Sequence, residues 1–308
     1  MLSLVGLQGS AKSTLTEVIV ELVHPVKSGL RPPPRTDDDF YIAASKTRLL
    51  ALENVSFVGD RLSDAICRVS TGAGYGKRRL YTDDDEVLLE TCCPVVINGI
   101  PDVVIRGDLA DRALVLNLPD LGEFREEDDF WGEFREQQPK LMGAIFEALG
   151  GVLARRDGIQ LEHPPRMADF ARWGVAAERA LGWPDGSFLA AYETNQRDVR
   201  LGLVEQDEVA QAVIRFLETH PGAVWTGKAN ELLRELRHAS YLSAHEGALP
   251  KSPRALAGRL RRLVPVLREV GIDIRWNNVG HHQRDVVITR RVEGQEEALV
   301  HAAADGPR

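Results

Sequence analysis

Nine residues near the amino terminus limit what this chain can fold into more than any other feature. The run Gly6–Thr14 reads GLQGSAKST and lies between a short apolar strand predicted at residues 2–5 and a helix predicted at residues 13–23. A glycine-rich turn between a buried strand and a helix presents main-chain N–H groups that can surround phosphate oxygens. This context predicts a phosphate-binding loop, or P-loop, in which the Lys12 ammonium contacts the phosphates of a nucleoside triphosphate.

The positions within this loop have separate expected roles. Lys12 is predicted to reach the β- and γ-phosphates, and the Ser13 hydroxyl to bind Mg²⁺. Ala11 stands where the P-loop pattern has a glycine, and it adds only a methyl group. The residues expected to contact the nucleotide are Gly6, Gln8, Gly9, Ser10, Ala11, Lys12, Ser13 and Thr14. The alternative is a glycine-rich turn that binds no ligand.

A second apolar strand, predicted at residues 49–55, carries an acid close to its end. This acid is Glu53, and a carboxylate at such a strand end can hold Mg²⁺ through water. Many P-loop ATPases place a second acid next to it to polarise the attacking water, and that position is Asn54 here. An amide orients water but is a poor proton acceptor, so binding is better supported than hydrolysis. A buried strand with a capping glutamate is the alternative.

Three further polar residues follow in the order that a nucleotide site requires. Asn98 ends an apolar strand predicted at residues 94–98, where its amide can contact the γ-phosphate or the attacking water. Arg106 and Arg112 follow in a mostly helical segment, and we consider them as arginine fingers supplied to a neighbouring subunit. The alternatives are a common Asn-Gly turn pair for Asn98 and surface ion pairs for the two arginines.

Strands that alternate with helices through residue 122 predict an α/β P-loop core with a largely parallel sheet covered on both faces. Within it, residues 75–82 and 87–91 predict a hairpin, whose first arm carries the cations Lys77, Arg78 and Arg79. Cations beside Tyr75 and Tyr81 suit a loop that follows single-stranded DNA and stacks on its bases. An edge strand protected by charge is the alternative.

Beyond the core, residues 123–204 are predicted to be helical, residues 205–293 to form a small α+β domain, and residues 294–308 to be a tail. Three helices followed by a hairpin are the layout of a winged helix. Its segment 251–291 holds ten Lys and Arg against three Asp and Glu, although the whole chain has a net charge of −8. The helix residues expected to contact duplex DNA are Arg254, Arg259, Arg261 and Arg262. A winged helix that binds protein is the alternative.

The remaining composition excludes some classes of protein. Three cysteines, two of them adjacent, are too few for a disulfide framework and have no metal-ligand spacing. No apolar run reaches the length of a membrane span. We therefore expect a cytoplasmic protein with no membrane association.

The segment from Gly6 to Leu118 resembles the ATPase domain of phage and plasmid primase–helicase proteins, of the superfamily 3 type within the AAA+ class. The stretches that carry the resemblance are GLQGSAKST (6–14), LLALENVSFVGDRLSDAICRVSTGAGYGKRRLYTDDDEV (49–87) and PVVINGIPDVVIRGDLADRALVLNLP (94–119). PRMADFARWG (165–174) and SPRALAGRLRRLVPVLREVGIDI (252–274) are similar to the helical and winged-helix parts of bacterial ATP-binding proteins from mobile elements.

The resemblance implies an ATP- and Mg²⁺-dependent ATPase that acts as a DNA helicase or translocase in replication of a phage or mobile element. It implies a homo-oligomeric ring in which Lys12, Ser13, Glu53 and Asn98 form the nucleotide site. Arg112, with Arg106 as a second candidate, would complete a neighbour's site, and residues 77–79 would face single-stranded DNA in the pore. The relatives carry a primase-like or helical region before the P-loop, so we expect a separately encoded primase or amino-terminal partner. The alternative function is a nucleotide-gated DNA-binding module that does not unwind DNA.

Overall fold

The structure is a computed structural model that describes residues 1–26, 29–72, 74–78, 86–99, 107–220, 224–241, 249–279 and 283–291. The chain divides into two compact units, residues 1–196 and residues 197–308. The divisions predicted after residues 122, 204 and 293 are finer than this and stay predictions.

The first unit alternates strands with helices and then becomes helical. Its strands are β1 (Leu2–Val5), β2 (Leu30–Arg31), β3 (Leu50–Leu52), β4 (Tyr75–Arg78), β5 (Glu86–Leu89), β6 (Val95–Gly99) and β7 (Leu114–Asn117). Its helices are α1 (Lys12–Val23), α2 (Asp37–Ser45), α3 (Asp60–Thr71), α4 (Gly107–Ala110), α5 (Glu127–Arg155), α6 (Ala168–Leu181) and α7 (Ser187–Gln206), the last of which continues past residue 196. The predicted alternation is confirmed over the ranges that the structure describes.

Five of these strands form a single parallel sheet in the order β2-β3-β6-β1-β7. The inner strand β1 pairs with the central strand β6 on one side and with the edge strand β7 on the other, and β3 pairs with the far side of β6. Because the strands all run in one direction, their carboxyl ends meet at one edge of the sheet. The predicted α/β class with a largely parallel sheet is therefore confirmed.

The inner strands of this sheet are buried on both faces, as expected where helices cover both sides. Every residue of β3 and of β6 is buried, and Leu4 of β1 has no exposed surface. Val20 of α1 packs against Leu4 and Val96, which fixes α1 on the sheet directly after β1. The apolar spacing of α1 in the sequence therefore marks the face that the helix buries.

Strand β7 is the edge of the sheet beside β1, and side-chain amides cover its main chain. Asn195 on α7 donates to the Val115 carbonyl oxygen at 2.6 Å and accepts the Val115 N–H at 3.1 Å. Gln196 donates to the Ala113 carbonyl oxygen at 2.6 Å. The two amides thus satisfy main-chain groups that would otherwise be open to pairing with a strand of another chain.

Two elements of the first unit differ from the sequence prediction. Residues 30–35 are predicted to be a loop, but Leu30 and Arg31 pair in parallel with β3 and add a fifth strand. Pro139 is predicted to start a helix, since proline is common in the first turn. It lies inside α5, which begins at Glu127 with three acids in its first turn, where the helix dipole favours them.

Helices α6 and α7 are joined by a buried carboxylate. Glu178 of α6 is 2% exposed and accepts the N–H groups of Phe188 at 2.7 Å and Gly186 at 3.0 Å. The Ser187 hydroxyl donates to the same carboxylate at 3.3 Å. These N–H groups lie at the start of α7, where a helix leaves its first N–H groups without an intrahelical acceptor, so Glu178 caps a neighbouring helix.

The second unit is a small α+β fold. Its elements are α8 (Glu208–Thr219), β8 (Val224–Lys228), α9 (Ala229–Tyr241), α10 (Pro253–Glu269), β9 (Ile272–Val279) and β10 (Gln283–Arg290). The strands form an antiparallel sheet in the order β8-β10-β9. Its core includes Phe216, Trp225, Leu232, Leu236, Leu256, Leu260, Leu267 and Ile288. The predicted three helices and terminal hairpin are present.

The second helix of this unit begins later than its residue types suggest. Threonine is a common helix cap, which would start the helix at Thr226, but Thr226 lies in β8 opposite Val287 of β10, and the helix begins at Ala229. Alternating β-branched and aromatic residues favour a strand here, and Trp225 turns its side chain into the core. The third helix is confirmed with its predicted cap, since the Ser252 hydroxyl accepts the Ala255 N–H at 3.2 Å.

Across the described residues, no helix combines the length and the apolar character needed to cross a membrane.

The capping carboxylate makes the stability of the first unit depend on pH. The N–H donors, that of Phe188 first, hold the pKa of Glu178 below its usual range. A lowered pKa stabilises the fold at neutral pH, and this contribution is lost as the pH falls through that pKa. We expect Glu178→Gln to lower the free energy of unfolding by about 1.5–3 kcal/mol at neutral pH, because charge-assisted hydrogen bonds are lost.

Urea unfolding at a series of pH values measures this effect. The difference in free energy of unfolding between the native protein and Glu178→Gln should shrink in acid. The control Glu147→Gln, an exposed change on α5, should leave the free energy of unfolding nearly unaltered. An equal loss for Glu178→Gln at every pH would contradict the capping role of the charge.

Candidate functional site

The carboxyl edge of the parallel sheet brings three predicted site segments together. Leu4 of β1 lies opposite Asn98 of β6, and Leu52 of β3 lies opposite Ile97. Glu53 follows Leu52 and Asn98 follows Ile97, so Glu53 and Asn98 lie at the same position along the two neighbouring strands. The Gly6–Thr14 loop, Glu53 and Asn98 therefore meet at one edge, with Asn98 in the middle.

The Gly6–Thr14 loop is wrapped around the Lys12 side chain. The Lys12 ammonium donates to the carbonyl oxygens of Gly6 at 2.8 Å and Leu7 at 2.6 Å, and it lies 3.2 Å from the Ser10 hydroxyl oxygen. An ammonium has three donors, and these acceptors use all of them. The positive charge is thus held at the centre of the loop.

The turn into α1 requires unusual backbone geometry. Gly9 has φ +87°, and Ala11 has φ +53°, in the left-handed region where a β-carbon is unfavourable. A β-carbon on Gly6 would lie 2.4 Å from the Ser10 hydroxyl oxygen, so glycine is required there. These features keep the main chain close around the interior of the loop.

The first turn of α1 is left without a side-chain cap. Ala11 is the N-cap residue and carries no acceptor, and its own carbonyl oxygen accepts the Leu15 N–H at 2.9 Å. The N–H groups at the start of a helix then point outward with the positive end of the helix dipole. The Ser13 side chain is exposed beside them, and Gln8 is exposed at the other end of the loop. This arrangement can bind an anion.

Asn98 links the loop helix to the neighbouring strand. Its side chain is 1% exposed, its amide nitrogen donates to the Thr16 hydroxyl at 3.1 Å, and its amide oxygen accepts the Asn54 N–H at 2.9 Å. Thr16 in turn donates to the Lys12 carbonyl oxygen at 2.7 Å. Both ends of the Asn98 amide are therefore occupied within the protein, and its predicted contact with a nucleotide stays a prediction.

Thr16 is a site residue that the sequence analysis missed. It is fully buried one helical turn after Lys12, among the apolar residues that face the sheet. A single polar residue on the buried face of the helix that follows a glycine-rich loop is the signal that could have identified it. Buried hydroxyl groups require a partner, and here the partner is Asn98.

Glu53 and Asn54 differ in how they are placed. Glu53 is half-buried at the end of β3, and its N–H donates to the Arg31 carbonyl oxygen at 2.9 Å. Asn54 is exposed and has φ +54°, a conformation that asparagine tolerates better than most residues. Glu53 thus lies at the carboxyl end of β3 with its side chain partly exposed, and the Asn54 backbone turns the chain directly after it.

A cavity of about 690 Å³ is lined by Glu53 and by residues of α1 and α5. Its walls include Glu17, Glu21, Trp131 and Arg135. Burial raises the pKa of Glu17, and the carboxylates of Glu127, Glu53 and Glu21 add to this effect. Three carboxylates and one guanidinium leave the cavity acidic on balance, so phosphates are disfavoured there relative to the loop.

Among the described residues, no group of three or more His, Cys, Asp or Glu side chains is arranged to hold a metal ion. The oxygens of Ser13 and Glu53 lie at the same edge of the sheet. Mg²⁺ in phosphate sites commonly uses one or two protein oxygens and takes its other ligands from water and phosphates. The two residues fit that pattern.

Arg112 lies at the opposite edge of the sheet. It precedes β7, whose first residue, Leu114, donates its N–H to the Met1 carbonyl oxygen at 2.9 Å, at the amino end of β1. The Arg112 guanidinium forms a hydrogen bond with the Cys67 thiol, which opposes the rise in the thiol's pKa caused by burial. The length of β1 separates Arg112 from the loop of its own chain, so these two predicted site elements are not brought together. Arg106 lies outside the described residues.

The basic hairpin is confirmed where the structure describes it, because β4 and β5 pair in antiparallel orientation. Lys77 and Arg78 lie in β4, and Arg79 and Tyr81 lie outside the described residues. The expected stacking of Tyr75 on DNA bases stays a prediction. Its ring stacks on Tyr41 at 4.1 Å, and its hydroxyl donates to Asp38 at 2.8 Å, so the ring holds the hairpin against α2.

The four arginines of α10 are all exposed but have different surroundings. Arg259 binds Asp207, the N-cap residue of α8, with a distance of 3.0 Å from its Nε atom. Arg261 lies over the Trp276 ring, with 5.2 Å between its Cζ atom and the ring centroid. Arg254 and Arg262 form no ion pair with any described residue. Arg259 therefore has a structural role, and its contact with DNA stays a prediction along with those of the other three.

The strained position in the loop generates a stability prediction. Ala11→Gly should raise the free energy of unfolding by about 1 kcal/mol, because glycine adopts φ +53° without steric cost. Urea unfolding measures the change, with Ala144→Gly in the exposed middle of α5 as the control, which should lower it by about 1 kcal/mol. A loss of stability in Ala11→Gly would show that the methyl group contributes packing that outweighs the strain.

Comparison with known proteins gives a family for both parts of the chain. Residues 2–200 match the actinomycete integrative conjugative element replication protein family, and residues 209–299 match the AICE RepA C-terminal domain. No curated protein has a significant sequence match.

Two solved structures of the NrS-1 C-terminal region in an apo A form are similar over 94% of this chain. Their sequence identities are 12% and 11%, and their TM-scores are 0.37 and 0.33. This chain covers 66% and 65% of the lengths of those structures.

The first family match alone extends over more than half of the chain, and it confirms the expectation of a mobile-element replication protein. The chain belongs to the replication proteins of actinomycete integrative conjugative elements.

Proposed function

We propose that this protein is an ATP-binding P-loop ATPase of the AAA+ type that moves along DNA during replication of its element. One observation carries the proposal: the Gly6–Thr14 loop closes on the Lys12 ammonium at the carboxyl end of the inner strand β1. Glu53 and Asn98 follow on the two strands next in line at the same edge. An anion site beside a carboxylate is the arrangement that a Mg-nucleotide requires.

The loop supports phosphate binding through charge and through the main chain. Lys12 contributes a full positive charge, and the uncapped start of α1 contributes N–H donors. The acidic cavity lined by Glu53 disfavours phosphates, which leaves the loop for them. The preference for ATP over other nucleotides derives from the family resemblance.

Ser13 and Glu53 are the residues that would hold Mg²⁺. The ion, when bound, neutralises negative charge on the phosphates. The exposed Ser13 hydroxyl can bind it directly, and the Glu53 carboxylate can orient its water ligands.

The position of Arg112 supports an assembly of several copies. Because β1 separates Arg112 from the loop of its own chain, the nucleotide that it can reach is that of a neighbouring copy. A guanidinium supplied in this way stabilises the charge that develops during phosphoryl transfer. We therefore propose a ring in which Arg112, with Arg106 as a second candidate, completes the next site.

DNA contacts are proposed for two parts of the chain. The hairpin residues Lys77, Arg78 and Arg79 would follow single-stranded DNA. The second unit would bind duplex DNA as a winged helix, since its three helices and three-stranded sheet leave exposed arginines along α10. Arg254, Arg261 and Arg262 are the residues that remain available for phosphates.

A nucleotide-gated DNA-binding protein without unwinding activity is the second candidate. Two observations favour it: Asn54 supplies no carboxylate, and both ends of the Asn98 amide are already occupied. Glu53 would then be the nearest proton acceptor as well as the metal ligand, which disfavours fast hydrolysis.

Phosphate release in the presence of single-stranded DNA distinguishes the two candidates. If the protein is a motor, single-stranded DNA should stimulate its ATP turnover. Lys12→Ala should lower the turnover rate by about a hundredfold or more, because preorganised charges of this kind stabilise the transition state by several kcal/mol. Lys140→Ala, an exposed change on α5 away from the loop, is the matched control. ATP binding without DNA-stimulated release would reject the motor and support the gated module.

A salt titration of duplex binding by the full chain tests the second unit. If Arg262 contacts a phosphate, Arg262→Ala should weaken binding and reduce the slope of log affinity against log salt by about 0.9. Lys140→Ala should leave the slope unchanged. Affinity that does not respond to salt would remove the phosphate contacts from the proposal.

A further inference from the structure

Large apolar side chains stand exposed around the mouth of the Gly6–Thr14 loop. Phe124 is 79% exposed, Leu7 is 65% exposed and Leu121 is 52% exposed. Single exposed apolar side chains are common on protein surfaces, whereas a cluster of them often marks a surface that binds an apolar part of a ligand. This cluster lies beside the loop that we propose for the phosphates.

The chain that carries Phe124 is held against the loop by main-chain contacts. Leu118 follows β7, and its N–H donates to the Val5 carbonyl oxygen at 2.7 Å. A tight turn follows, in which the Gly122 N–H donates to Asp120 at 3.2 Å and Gly122 has φ +68°. At the end of the turn, the Glu123 N–H donates to the Leu121 carbonyl oxygen at 2.7 Å. Phe124 therefore directly follows a hydrogen-bonded turn, which fixes the position of its main chain.

The Phe124 ring rests on the main chain of Gly9. A β-carbon placed on Gly9 would lie 3.1 Å from the Phe124 Cζ atom and 3.2 Å from its Cε1 atom. These distances are shorter than most contacts that β-carbons make in proteins, so the Phe124 ring can lie this close to the main chain because Gly9 has no side chain. One part of the ring contacts the loop, and the rest is open to solvent.

We propose that Phe124 is the platform on which the base of the bound nucleotide stacks, with Leu7 beside it. This inference rests on the proposed nucleotide site, since it places the base next to phosphates held by Lys12. An aromatic ring stacks on any base, and the larger ring system of a purine gains more contact than a pyrimidine. Phenylalanine and leucine side chains have no hydrogen-bonding groups, so this surface selects purine over pyrimidine and does not separate adenine from guanine.

Calorimetric titration of the full chain with four magnesium-bound ligands tests the platform. The ligands are ATP, GTP, CTP and inorganic tripolyphosphate, which has the phosphates without a base. Phe124→Ala should weaken ATP and GTP binding by roughly tenfold, the scale of one stacking contact, and CTP binding by less. Tripolyphosphate binding should be unchanged, because its contacts lie in the loop.

Two further variants make the result specific. Phe124→Trp should keep or strengthen purine binding, since the larger ring still stacks. Phe146→Ala removes a phenylalanine that is 61% exposed on α5, and it should change none of the four affinities.

The outcomes separate this inference from the proposed function. Equal ATP affinity in the native protein and in Phe124→Ala would overturn the stacking role while tripolyphosphate binding still supports the loop. Equal weakening of ATP and tripolyphosphate in Phe124→Ala would overturn it as well, since the ring would then act on the loop. If the native protein binds neither ATP nor tripolyphosphate, the nucleotide site itself is rejected.

Discussion

The buried amide of Asn98 joins the parts of the site that lie far apart in sequence. It donates to Thr16, which is bonded to the carbonyl oxygen of Lys12, and it accepts the N–H of Asn54 directly after Glu53. An unpaired buried amide costs more than a hydrogen bond contributes, so each of these partners must stay in place. The position of α1, and with it the Lys12 ammonium, is therefore coupled to the end of β3.

The parallel sheet accounts for the separation of functions between its two edges. Strands that run in one direction place the loop, Glu53 and Asn98 at the carboxyl edge, and they place Arg112 at the amino edge. A single chain of this design holds both halves of the proposed nucleotide site but cannot bring them together. The proposed ring follows from this geometry, as each interface would join one carboxyl edge to another copy's amino edge.

Charge and apolar surface divide the region around the loop. The carboxylates of Glu17, Glu21 and Glu53 make one side unfavourable for phosphates, and Phe124 provides an apolar face on another. A nucleotide has the same two kinds of surface, since its phosphates are charged and the faces of its base are apolar. In the second unit the comparable division lies along α10, where Arg259 secures the fold through Asp207 while Arg254 and Arg262 remain at the surface.

The sequence by itself determined the α/β class, the order of β1, β3 and β6 with Glu53 and Asn98 at the carboxyl ends of two of them, and the α10 helix, because these depend on local patterns of apolar and polar residues. The tertiary structure alone decided that Asn98 bonds to Thr16, that Tyr75 stacks on Tyr41, that Arg259 pairs with Asp207 and that Phe124 rests on Gly9. It also decided that Leu30–Arg31 and Val224–Lys228 are strands, since a short strand forms only where a partner strand is already present. Contacts between residues distant in sequence leave no periodic signal, because the partner that satisfies a polar or aromatic group is chosen by the packing of the whole sheet.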